Sequence, residues 1–168
     1  MSTPPRIVQG SVIFVVDGER VLLLQRNHQP FAGKWDGLQG LVEFGETPEE
    51  AARREVYEEV GLVLDLCEQR GHLLLYNVER PLTISADLFV ATVREGTLRG
   101  SEEGEPLWVP LADVPHTDLV GFVHITLPLV LTPGSLLVGT IRHLASGDPV
   151  SYELRHHRLG DTQVYRQA

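Results

Sequence analysis

Residues 40–62, GLVEFGETPEEAARREVYEEVGL, carry the most information in this chain. The stretch opens in a glycine-bearing loop and then gives a helix-start signal. Thr47 is suited to cap a helix, and Glu50, three residues on, completes a capping box. Pro48 takes the first helical position, where its missing N–H is not needed. Gly61 supplies the stop, at a position that is commonly left-handed. The spacing predicts a helix over residues 47–60. Ala52, Val56 and Val60 repeat at i, i+4 and i+8 and form its buried stripe. Glu55, Glu58 and Glu59 cluster on another face, where like charges weaken a helix by roughly a few tenths of a kcal/mol per pair. Arg54, beside Glu55 and four residues before Glu58, offsets part of that repulsion. A divalent metal would offset far more, because hard cations take carboxylate oxygens and keep waters alongside substrate phosphates. The competing reading is a plain solvated acidic face.

The whole chain has 168 residues, a length that suits one domain, 1–168, with short tails at 1–5 and 158–168. Its 42% hydrophobic and 22% charged residues are ordinary for a globular protein. A formal charge of −9 argues against a polymeric nucleic-acid partner, whose phosphates are met by Lys and Arg. A single nucleotide with metal-neutralised phosphates is compatible with it. Cys67 is the lone cysteine, which precludes an internal disulfide and fits a reducing compartment. Neither a signal peptide nor a membrane-spanning apolar run is evident, so a cytoplasmic location without membrane attachment is expected.

Residues 7–16 and 20–26 read as strands joined at Asp17-Gly18, a hairpin signal. Residues 27–34 read as a loop broken by Pro30 and Gly33, leading into Trp35. There Arg26 is a candidate phosphate contact and Phe31 a candidate platform for a base. Strands are expected at 62–66, 72–78 and 83–93. In the last of these Ile84, Ala86, Leu88 and Val90 share one face, while Phe89 faces the ligand or a second core layer. Residues 94–104 read as a polar loop whose Glu102, Glu103 and Glu105 stand before the Leu107-Trp108-Val109 strand; Glu103 is the candidate to reach the acidic helix face. A helix over 121–131, interrupted by Pro128, and a terminal hairpin over 136–144 and 150–156 complete the order. His143, His156 and His157 lack a metal-ligand spacing and read as exposed strand-end residues.

Taken together, Gly40, Glu46, Arg54-Glu55-Val56, Glu58-Glu59 and Gly61-Leu62 resemble the complete signature of the Nudix (MutT-like) hydrolase family. A pattern of that length is far more specific than a lone glycine loop. The resemblance implies an α/β fold, an α/β/α sandwich with mixed β-sheet around the signature loop and helix. It implies a hydrolase that splits a phosphoanhydride of a nucleoside diphosphate-linked substrate with water and Mg²⁺, or Mn²⁺ in its place. Carried across by position, the metal ligands would be Glu55, Glu58, Glu59 and the carbonyl of Gly40, with Arg54 and Glu46 as supporting partners. One of the glutamates, or Glu103, would serve as general base.

A looser resemblance, to the oxidised-purine nucleoside triphosphate diphosphatases, rests on residues 31–40, FAGKWDGLQG, on residues 103–108 and on the closing hairpin. In those enzymes an Asn that reads the base follows the Trp; here Asp36 stands in that place. Apolar residues near Phe122 and Val123 replace a pair of acids, Gln39 replaces a common glycine, and Leu41-Val42 replaces a Lys-containing pair. The expected activity is hydrolysis of a nucleoside triphosphate, oxidised or not, to monophosphate and pyrophosphate, as in nucleotide sanitation. The alternatives are hydrolysis of ADP-ribose, nucleotide sugars or dinucleoside polyphosphates, and a non-catalytic nucleotide sensor on the same fold. Either a monomer or a homodimer is compatible with the sequence.

Overall fold

The computed structural model describes residues 6–168, so the expected tail at 1–5 lies outside the described residues. Strand β1 (Arg6–Asp17) turns at Gly18, whose φ is +58°, into β2 (Arg20–Arg26). After the 27–34 loop come β3 (Trp35–Asp36), β4 (Leu38–Leu41) and helix α1 (Pro48–Val60). Strands β5 (Leu62–Asn77), β6 (Leu82–Gly96) and β7 (Gly104–Pro110) follow, then a 3-10 turn at Val114–His116 and helix α2 (Gly121–Val130). Strands β8 (Leu136–His143), β9 (Pro149–Arg158) and β10 (Asp161–Gln167) end the chain.

The strands form one mixed sheet in the order β10-β9-β8-β5-β6-β1-β2-β3, with β4 also paired to β1 and β7 to β2. The β1/β6 and β5/β8 pairs are parallel. Side-chain alternation along β1 and β6 divides the core into two layers. Val12, Phe14, Ala86 and Leu88 meet Phe122, Val123, Leu127 and Val130 of α2. Ile13, Val15, Phe89 and Ala91 meet Ala52, Val56 and Val60 of α1. The result is an α/β/α sandwich with the sheet in the middle.

Helix α1 is fixed at both ends. Thr47 Oγ1 accepts from Glu50 N at 3.2 Å, and Glu50 Oε2 accepts from Thr47 N at 2.7 Å, closing the capping box. Ser11 Oγ of β1 donates to the Pro48 carbonyl at 2.7 Å and ties the first turn to the sheet. At the far end Gly61 is left-handed, φ +75°, and donates to Tyr57 O at 2.9 Å. Thr47→Ala should therefore lower stability by about 1 kcal/mol, read as a shifted urea midpoint with an unchanged slope.

Four expectations need correction. The strands expected at 62–66 and 72–78 are one strand, β5, which stays paired with β6 through register shifts at Val63/Leu64, Leu64/Cys67 and Gln69/Gly71. Its polar middle sits at these irregularities, so local polarity suggested a break where there is only a bend. The stretch 158–168, expected as a tail, holds a strand: β10 pairs with β9 from Asp161↔Arg158 to Gln167↔Tyr152. The residues of β10 are largely exposed, which erases the apolar alternation by which a strand is read. Pro128 neither opens nor interrupts α2 but lies in its last turn, on the exposed side one turn beyond His124, where the carbonyl left without a partner can meet water. His143 and His156 are buried, not exposed.

Candidate active site

The glutamate face of α1 looks across a cleft at β4 and at the loop before β7. This cleft, about 470 Å³, is lined by Gln39, Gly40, Glu55, Glu58, Glu59, Ser101, Glu102 and Glu103. One guanidinium organises its loop side. Arg54 forks onto Glu46, with Nε to Oε1 at 2.7 Å and Nη2 to Oε2 at 2.9 Å. The same group reaches Leu41 O at 3.1 Å, Glu55 Oε1 at 2.7 Å and Glu58 Oε2 at 3.3 Å. With Glu43 N also donating to Glu46, these bonds hold the Glu46 carboxyl down at about 2. Lys cannot reproduce a planar fork with five donors. Arg54→Lys should lower kcat by about 10- to 100-fold and raise the Mg²⁺ concentration needed for half-maximal rate, read by metal titration of turnover.

A second guanidinium serves the opposite wall. Arg26 Nη2 pairs with Glu103 Oε2 at 3.1 Å, and the Asn27 N–H binds the Glu103 carbonyl at 3.0 Å, so the end of β2 anchors the acidic loop. Arg26 also acts electrostatically on Asp36 and Glu59. Expected as a phosphate contact, it lines neither this cleft nor the apolar cavity beside it, and its charge acts on Glu103, Asp36 and Glu59.

Glu59 is 5% exposed, and among the described residues its Oε2 has no hydrogen-bond partner. Burial first, then the charge of Glu55, pushes its carboxyl up to about 8. Asp36 is likewise buried, which raises it to about 7. Glu55 is raised as well, chiefly by burial. Six carboxyl groups, Glu46, Glu55 and Glu58 at Arg54 and Asp36, Glu59 and Glu103 at Arg26, thus face two guanidinium groups in a partly dry space. An unpartnered carboxylate oxygen this deeply buried is costly unless something positive meets it. No three such side chains converge on a single point among the described residues, because Glu55 and Glu58 are turned onto Arg54.

Gly40 is required by space. A Cβ built on it would fall 1.9 Å from Glu55 Cδ and 2.1 Å from Oε1, so the carboxylate lies directly against the β4 backbone. The carbonyl expected as a ligand is a different matter. Val42 N donates to Gln9 O at 3.0 Å, and β1 and β4 pair with Ser11 opposite Gly40 and Val12 opposite Gln39. In an antiparallel ladder bonded and non-bonded pairs alternate, so the Gly40 carbonyl turns toward Ser11 and that of Gln39 turns away from β1. Gly40 supplies an absent side chain; Gln39 has the free backbone oxygen.

An apolar cavity of about 200 Å³ adjoins the cleft and shares Gln39 and Gly40 with it. Phe31 and Phe122, edge to face with ring centroids 6.3 Å apart, form one wall; Gly10, Val12, Leu75, Ile84 and Ala86 line the sheet side. Phe89 is 3% exposed in the layer beneath α1 and lines neither space, so of the two places expected for it, it occupies the second core layer. Asp36 does not line the apolar cavity either: its Oδ2 accepts from Gln39 Nε2 at 2.6 Å on the side of Arg26 and Glu59. Its Oδ1 is buried without a hydrogen-bond partner among the described residues. Gln39, Phe122, His143 and Gly10 were not singled out as site residues. Gln39 and Phe122 stood out only as departures within the looser resemblance, whereas Gly10 carried a signal of its own, since a glycine inside a β-branched strand marks a close approach.

The NUDIX domain profile matches residues 6–127. The mouse oxidized purine nucleoside triphosphate hydrolase is 37% identical over 109 residues, covering 65% of this chain and 70% of that protein. Its zebrafish counterpart is 33% identical over 121 residues, covering 72% and 78%. Among solved structures, a mutator MutT protein from Bacillus halodurans superposes with a TM-score of 0.79 at 28% identity, covering 88% of this chain and 97% of that one. The chain belongs to the Nudix family. It is a Nudix pyrophosphohydrolase with a MutT-like α/β/α sandwich. No helix among the described residues is long and apolar enough to cross a membrane.

Proposed function

We propose that this protein hydrolyses a nucleoside triphosphate to the monophosphate and pyrophosphate with the help of Mg²⁺, for which Mn²⁺ can substitute. The observation that carries the reading is the junction of the acidic cleft with a cavity of base size at Gln39 and Gly40. A triphosphate laid across that junction puts its base among Phe31 and Phe122 and its anhydride beside Glu55, Glu58 and Glu59.

The donor set fits a hard divalent ion: carboxylate oxygens of Glu55, Glu58 and Glu59, with the Gln39 carbonyl in the place expected for Gly40. Such an ion, when bound, neutralises the phosphates and lowers the pKa of water. The chain's own residues do the rest. Arg54 and Glu46 hold the loop against the helix, and Arg26 holds Glu103 over the cleft. Glu59 and Glu103 are the two carboxylates placed to take a proton from water; Glu103, outside the helix cluster, is the more accessible. Glu46 is committed to Arg54 and accepts none.

The test is turnover on a panel of canonical and oxidised triphosphates, ADP-ribose, nucleotide sugars and dinucleoside polyphosphates, with Mg²⁺ and with chelator. Triphosphates should lead, and chelator should abolish the rate. Faster hydrolysis of ADP-ribose or a nucleotide sugar would replace the substrate class, and tight binding without hydrolysis would identify a sensor.

A further inference from the structure

The apolar cavity is closed at one end by a polar ring with an unused nitrogen. His143, at the end of β8, is only 6% exposed and lines the cavity beside Phe122, ring centroids 5.4 Å apart. Its Nδ1 lies 2.7 Å from the Leu144 carbonyl oxygen. A carbonyl only accepts, so Nδ1 carries the hydrogen, and Nε2 of the neutral ring is an acceptor. Burial holds His143 below its ordinary pKa, which keeps the ring neutral near pH 7. Among the described residues the Nδ1 contact is the ring's only hydrogen bond.

Sheet order gives this nitrogen a direction. The cavity crosses the sheet from Gln39 and Gly40 on β4, past Gly10 on β1, Ile84 and Ala86 on β6 and Leu75 on β5, to His143 on β8. The β4 end opens on the acidic cleft; the β8 end is farthest from it. A base whose phosphates lie in the cleft therefore presents to His143 the edge opposite its sugar. The other polar side chains in the lining, Gln39 and Ser11, stand at the near end, where Gln39 Nε2 donates to Asp36 and Ser11 Oγ donates to the Pro48 carbonyl. The turn behind His143 is built to keep the ring in place: Phe122 N binds Gly147 O at 3.1 Å, Leu144 N binds Asp148 O at 3.0 Å, and a Cβ on Gly147 would strike Phe31 at 2.9 Å.

The geometry points to His143 as a specificity-determining residue that accepts, through Nε2, a hydrogen bond from an amino or imino N–H on the far edge of a purine-type base. The inference rests on the triphosphate reading above and names the part of the substrate that it left open. A base with no donor on that edge leaves a buried acceptor unpaired, which is worth about tenfold or more in recognition.

The experiment compares GTP, ATP and purine riboside triphosphate, which lacks every ring N–H and amino donor, on the wild type, His143→Phe and His143→Gln. In the wild type the better of GTP and ATP should exceed purine riboside triphosphate in kcat/KM by about tenfold. His143→Phe keeps a planar ring of similar size without the acceptor; it should bring the ratio to within about twofold, through KM with kcat nearly unchanged. His143→Gln offers a carbonyl oxygen and should recover part of the discrimination. Independently of turnover, the His143 Nε2 nitrogen-15 signal of the metal-free protein should move with GMP or AMP and stay still with purine riboside monophosphate. Discrimination that survives in His143→Phe, or a signal indifferent to all three monophosphates, overturns the inference even where triphosphates are hydrolysed. A signal that responds to GMP or AMP, in a protein that hydrolyses no triphosphate, upholds the base contact and overturns the reading of the reaction instead.

Discussion

Glu59→Gln is expected to lose about a thousandfold or more in kcat and, at the same time, to make the metal-free protein more stable at alkaline pH. The first effect follows from removing a charge at the centre of the acidic cleft while keeping its shape. The second follows from the cost of that charge. In the folded chain burial pushes Glu59 up to about 8, against 4.5 for a free glutamate. Between those values the folded protein holds a proton that the unfolded chain has released. Stability contributed by that proton is therefore fully present below about 4.5 and is lost as pH rises through about 8. Each pKa unit corresponds to about 1.4 kcal/mol, so the loss amounts to a few kcal/mol. Gln does not titrate. Melting temperatures in chelator should nearly coincide for the two proteins near pH 4.5 and diverge by about 5 °C or more at pH 8.5, with the variant higher. Asp36, also raised, is present in both proteins and drops out of the difference. A constant gap across that range would mean that Glu59 is not strained by burial.

The second large effect is at Gly40. Gly40→Ala places a methyl where the Glu55 carboxylate now lies. The clash is with the end of a flexible side chain, so the backbone need not move and the melting temperature should change little. Glu55 must leave, and the bridge from Arg54 that positions it opens. A loss of about 100-fold in kcat is expected for a misplaced ligand. Because the damage passes through Glu55, Gly40→Ala should cost almost nothing further in a Glu55→Ala background. A full additional loss in that background would mean that Gly40 acts through its carbonyl or its backbone conformation.

What was legible in the sequence was local. The capping box of Thr47 and Glu50, the apolar stripe of Ala52, Val56 and Val60, and the left-handed stop at Gly61 are set within a few residues of one another, and the structure repeats them. The opposition of Phe89 to Ala86 and Leu88 follows from strand alternation alone and identifies the face of β6 that packs under α1. Whatever depended on a distant partner was not legible. The burial of Asp36 and the field of Arg26 on it depend on how β2 and β3 pair. His143, at the end of its strand as expected, looked exposed because nothing near it in sequence announces that α2 and the 144–149 turn cover it. The strand β10 has little apolar pattern and exists through its pairing with β9.

The central claim is that this cleft directs water onto the anhydride of a nucleoside triphosphate so that pyrophosphate leaves. Hydrolysis of GTP with Mg²⁺ in oxygen-18 water, with the products followed by phosphorus-31 NMR and mass spectrometry, tests it most directly. GMP and pyrophosphate should appear in equal amounts, with one oxygen-18 in one of the two, and neither should form with chelator or with Glu59→Gln. Release of GDP and orthophosphate, or equal turnover by Glu59→Gln, would contradict it.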